Sequence, residues 1–190
     1  MSRIEERIPA PSESDWTQEQ RDAVQEIASG PRGALIGPFK PMLHSPILME
    51  RLQKTGEFIR WHSEMPDKIR EMVILMVARH WNQEFEWSFH KPIVSSCGLA
   101  SEVIVAIGNH EKPLDLGTEE MVVWNLIDEV LKYGTALDTT VRNALEVVGP
   151  RNVVEYVATA GYYSTLAFIM NVAGTESDTG DRLPPRKDSP

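Results

Sequence analysis

Three residues, Glu71, Glu86 and His90, have the types and spacing that acid–base chemistry needs. Glu71 and Arg79 flank the run Met72-Val73-Ile74-Leu75-Met76-Val77-Ala78, which contains no polar residue. At about 100° per residue, Leu75 and Ala78 fall within roughly 40° of Glu71, with Arg79 about 80° round from it. A carboxylate bordering such a stripe either has a partner or binds its proton more tightly. The competing reading is a helix-start acid, placed about a turn inside Pro66 where the dipole favours negative charge. Glu86 and His90 are four apart and share a face of one helix. A carboxylate beside an imidazole orients the ring and strengthens its hold on a proton, which suits a general acid or relay near neutral pH. The same spacing describes an ordinary surface Glu–His pair. Trp87 and Phe89 read as core aromatics, and Cys97 as a small buried residue. Glu86 and His90 could also supply two metal ligands. The usual helical zinc pattern, however, has two histidines at that spacing with a glutamate after the first. No metal is expected.

The elements that must position these residues are helical throughout. Asp15 to Ala28 has helical composition and ends at Gly30-Pro31-Arg32-Gly33. Gly37-Pro38-Phe39-Lys40-Pro41 is expected to be irregular and extended. Ser45-Pro46 opens a helix to about Glu64, with proline at its first position. Pro66 starts the next, whose apolar run on every side predicts a central helix surrounded by others. A helix from about Gln83 to Ser96 follows, kinked at Pro92 and capped by Gly98. Ser101 to Asn109, Thr118 to about Gly134 and Asp138 to Val148 complete the middle of the chain. After Gly149-Pro150 comes Asn152 to Gly174, rich in Val, Tyr and Thr but too long for a strand. The expected fold is all-α, about eight helices. Residues 1–14 are expected to be a mobile N-terminal segment, 15–174 one domain and 175–190 a disordered tail.

Composition narrows the function. Nineteen Lys and Arg against 28 Asp and Glu give a net charge of −9, with no basic block. That disfavours nucleic acid and anionic membranes as partners. One cysteine excludes an internal disulfide framework, a CxxC pair and a cysteine-rich zinc site. No window approaches the ~20 apolar residues of a membrane span, and no signal peptide follows Met1. A cytoplasmic location is the expectation.

The segment Arg70-Glu71, Ile74 to Arg79, then Glu86-Trp87-Ser88-Phe89-His90-Lys91-Pro92-Ile93 and Cys97-Gly98-Leu99 resembles the carboxymuconolactone decarboxylase family of the AhpD-like superfamily. With Gly37-Pro38-Phe39 and His44-Ser45-Pro46 upstream and Gly161-Tyr162-Tyr163 and Asn171 downstream, the resemblance covers residues 35–174. It is to the longer members that lack the CxxC thiols. It implies an AhpD-like helical fold, homotrimers or homohexamers, and a cofactor-free site at a subunit interface. In the thiol-dependent branch two cysteines precede the histidine by seven and four residues, and a glutamate by nineteen. Counting back from His90 gives Gln83, Glu86 and Glu71, so the relay residues are present without the thiols. Disulfide-cycling peroxidase chemistry is therefore not expected. The implied activity is decarboxylation of a small carboxylated lactone or a related acid of aromatic catabolism. His90, oriented by Glu86, would be the acid and Glu71 would complete the relay. Arg79 would anchor a substrate carboxylate or neutralise Glu71, and Trp87 would contact substrate. The alternatives are an isomerase or lactone hydrolase on a related substrate, or a non-catalytic oligomer that keeps these charges as an interface network.

Overall fold

A computed structural model describes residues 6–175, 177 and 182–185. Among them the secondary structure is entirely helical. The helices are α1 (Gln18–Ser29), α2 (Phe39–Met42), α3 (Pro46–Glu57), α4 (Asp67–His80), α5 (Glu84–Ser96), α6 (Ser101–Gly108), α7 (Thr118–Tyr133) and α8 (Asp138–Ala173). No helix among the described residues is long and apolar enough to cross a membrane. The chain divides into two compact units, Met1–Ser63 with Thr165–Asp178 and Glu64–Ser164 with Thr179–Pro190.

In the first unit α1 opens on a capping box. Thr17 Oγ1 accepts from the Gln20 backbone and the Gln20 side chain accepts from the Thr17 N–H. α1 packs on α3, and Lys54 of α3 reaches Glu26 of α1 at 2.9 Å. The stretch expected to be extended, Gly37 to Pro41, instead turns into α2. Pro38 already has helical φ and ψ (−62°, −24°), and Pro41 lies in the first turn, where its missing N–H would have no intrahelical partner. α3 runs on as a π-helical turn, Phe58–His62. The Arg32 guanidinium stacks over Phe39 at 4.5 Å and lies 5.5 Å from the Trp61 ring. Residues 1–5 of the expected mobile segment lie outside the described residues. Arg7 and Ile8 donate backbone N–H groups to the Ala173 carbonyl.

The second unit is built round α4. Every residue from Ile69 to Arg79 is buried, and the helix packs against α5, α6 and α7. α7 ends on Gly134 in the left-handed conformation (φ 72°). α8 is broken at Gly149 (φ 76°), one residue before Pro150, where a side chain would be strained. Much of the expected C-terminal tail lies outside the described residues. Of the described part, Leu183 is buried; its N–H donates to Glu84 Oε2 at 3.0 Å, and the Pro184 carbonyl accepts from Arg79 Nη1 at 2.8 Å.

Tyr156 of α8 is wholly buried, and its hydroxyl has no hydrogen-bond partner among the described residues. Burial, and then the charge of Glu119, push its pKa up to about 12. The unfolded phenol titrates near 10. The folded state therefore favours the neutral form. That contribution is whole below pH ~10 and is lost progressively as pH rises through ~12, by about 2–3 kcal/mol. Tyr156→Phe removes both this loss and the unpaired hydroxyl. Chemical denaturation from pH 7 to 12 should show the variant at least as stable at pH 7 and increasingly ahead above pH 10. Parallel curves would refute the burial argument.

Candidate active site

α4 and α5 are joined by only Trp81, Asn82 and Gln83. Asn82 takes a left-handed conformation (φ 53°) and Gln83 closes the turn. The Gln83 side-chain oxygen accepts from the N–H groups of Phe85 (2.6 Å) and Glu86 (3.2 Å), filling the N-terminus of α5. These are the donors that a thiolate at the start of α5 would otherwise use. The chain reverses across this short connection and α5 packs back on α4, which brings the middle of α5 beside the first half of α4.

There His90 meets Glu71. The imidazole Nδ1 lies 2.6 Å from Glu71 Oε2, with Glu71 fully buried and His90 only 4% exposed. With Glu71 ionised its carboxylate can only accept, so Nδ1 carries the hydrogen of this contact. The carboxylate that orients Nδ1 is thus Glu71 from α4, where the sequence pointed to Glu86 four residues before His90. Glu86 is buried one turn away on the same helix. Tyr163 of α8 stands edge-on to the imidazole, ring centroids 5.3 Å apart at 87°, and Phe89 flanks it at 5.2 Å.

The guanidinium beside Glu71 belongs to Arg70. Its Nε and Nη2 each lie 3.4 Å from Glu71 Oε1, and Nη1 lies 2.8 Å from Asp67 Oδ1. The sequence offers Arg79, as a substrate-carboxylate anchor or as the charge that neutralises Glu71, and does not single out Arg70. Arg79 is buried and directs Nη1 to Asn82 Oδ1 (3.3 Å) and the Pro184 carbonyl. Trp87 is buried against Gly108 of α6. A Cβ built on that glycine would lie 3.3 Å from the indole, closer than ordinary packing. Its Nε1 finds no hydrogen-bond partner among the described residues. Cys97, expected to be buried, is only half-buried because it caps the C-terminus of α5. Its thiol is raised by burial and then by the negative charges of Glu71 and Asp67. A raised thiol is a poor nucleophile. Among the described residues no three His, Cys, Asp or Glu side chains gather as a metal site would need.

No protein-family model matches the chain, and no curated protein matches it. A solved structure does. It is a protein of unknown function from Agrobacterium tumefaciens, proposed to be the antioxidant defence protein AhpD, with 16% identity and a TM-score of 0.65 over 73% of this chain and 95% of that one. At that identity the likeness establishes the fold alone, and the chain is an all-helical protein of AhpD-like fold.

Proposed function

We propose that the protein is a cofactor-free decarboxylase of the carboxymuconolactone type, acting on a small carboxylated lactone or a related acid as a homotrimer or homohexamer. The observation that carries this reading is the Glu71–His90 pair, a carboxylate and an imidazole held at 2.6 Å inside an apolar core. Loss of CO₂ leaves the electron pair of the broken carbon–carbon bond delocalised through the ring double bond onto the lactone carbonyl oxygen. His90 Nε2 then delivers a proton to carbon, and the imidazole regains one from water. Glu71 stabilises the imidazolium through Nδ1 and fixes its orientation. Glu86, one turn before His90, lies on the relay side of the same helix. Trp87, a donor without a partner among the described residues, is assigned to a substrate oxygen. Arg79 Nη1 is engaged by Pro184 and Asn82, so no step is given to it.

The test is to incubate purified protein with 4-carboxymuconolactone and follow CO₂ and substrate together. Stoichiometric release is expected. Substrate loss without CO₂ would replace decarboxylation by isomerisation or ring hydrolysis, and no reaction from folded protein would overturn this substrate.

A further inference from the structure

We propose that Arg70 is a positioning residue for the Glu71–His90 pair: by bridging Asp67 and Glu71 it fixes the carboxylate and sets the pH at which His90 takes up its proton. The inference rests on the acid–base reading of that pair, and it is tested without substrate.

Residues adjacent in a helix do not face one another. Arg70 and Glu71 meet only because the long arginine side chain lies along α4, where it is buried with 7% of its side chain exposed. Asp67, three residues earlier and 69% exposed, holds Nη1 and draws the guanidinium back along the helix. Nε and Nη2 then lie on Glu71 Oε1. The fork therefore occupies one carboxylate oxygen and leaves Oε2 directed at His90. A lysine could bring the charge, but it could not span both carboxylates with a rigid fork. The electrical consequence has a definite sign. A fixed positive charge one residue from the shared proton opposes any further protonation of the pair. With Arg70 in place the imidazole gives up its proton more readily than Glu71 alone would allow.

Other titratable groups around the pair come from each neighbouring element. α5 carries Glu86 and ends at Cys97, whose thiol feels Glu71, Asp67 and Arg70. α8 brings Tyr163 against the imidazole and Tyr156, on which Arg70 and Glu119 act. From α7, Glu120 is taken up by Lys68. α6 contributes only Glu102, which is exposed. The sign of the Arg70 effect does not depend on these groups, because removing a positive charge beside the pair favours its protonation whatever else surrounds it.

The experiment is an NMR pH titration of the His90 ring in the full-length protein. Arg70→Met should move the His90 midpoint up by about one to two pH units. Arg70→Lys should restore most of that shift while loosening the geometry. Asp67→Asn alters an exposed side chain and leaves Arg70 uncompensated, so it should move the midpoint the opposite way. It remains readable even if Arg70→Met fails to fold. The sole thiol gives a second signal: alkylation of Cys97 at fixed pH should slow in Arg70→Met, because loss of the cation raises the thiol further. A His90 midpoint unchanged in Asp67→Asn, or an Asp67→Asn shift in the same direction as Arg70→Met, would overturn the proposal. A protein that shows these shifts but releases no CO₂ would retain Arg70 in this role and lose the proposed reaction.

Discussion

Replacing His90 by alanine is expected to lower turnover of a carboxylated lactone by at least ~10²-fold in a protein that remains folded. The size follows from what the imidazole is asked to do. The imidazole is the group assigned to deliver the proton to carbon, since Glu71 is turned toward Nδ1 and Arg70 does not release its proton. Folding should survive because Glu71 keeps Arg70 as a counter-charge when the ring is gone. Glu71→Gln retains the shape of the side chain but can no longer stabilise an imidazolium. Its rate should fall less than that of His90→Ala, with its pH profile displaced toward lower pH as the ring loses its anion. Glu86→Gln provides the contrast. If Glu86 oriented the ring, its loss would match that of Glu71. The geometry makes Glu71 the larger effect, and kcat measured across pH for the three variants decides between them. Turnover unchanged in His90→Ala would end the proposed mechanism.

The same geometry explains what could and could not be read from the sequence. α4 was legible as the central helix because Met72 to Ala78 offers no polar face. The breaks at Gly149-Pro150 and Gly134 were legible because these residues take backbone conformations that stop helices. Proline misled at Gly37 to Pro41, where it reads as extended although it is tolerated in a first turn. The family resemblance places Glu71 in the relay with His90, but spacing alone hid their direct contact for a different reason. Spacing within one helix offers Glu86, whereas Glu71 belongs to another helix and reaches His90 only after the chain reverses. The three-residue connection Trp81 to Gln83 carried that information. Stepping back 11 residues to Glu71 and forward eight to His90 from Asn82 leaves the two nearly level, within about 5 Å along the helices. Arg70 was hidden by the helical wheel, which favours Arg79 on angle and ignores how far an arginine side chain can lie along its own helix.

Glu71→Leu should destabilise the protein by about 3–5 kcal/mol, the largest stability change expected from any single substitution at the site. Removing one member of a buried charged cluster leaves the others without compensation, here Arg70 and the imidazole Nδ1–H. The triple variant Arg70→Met, Glu71→Leu, His90→Leu should recover that loss and equal or exceed the wild type in denaturant, because none of the three is then left as a buried polar group without its partner. Asp67, the remaining member, is exposed and solvated on its own. The triple variant should also be inert toward the lactone. Stability regained together with activity lost is the signature of charges held for chemistry, at a cost that a purely apolar core would not carry. The opposite outcome, a triple variant as unstable as Glu71→Leu or one that no longer assembles with copies of itself, would mean that the cluster is a structural network. Urea denaturation and sedimentation of the three proteins separate these cases, and they do so whichever substrate the site takes.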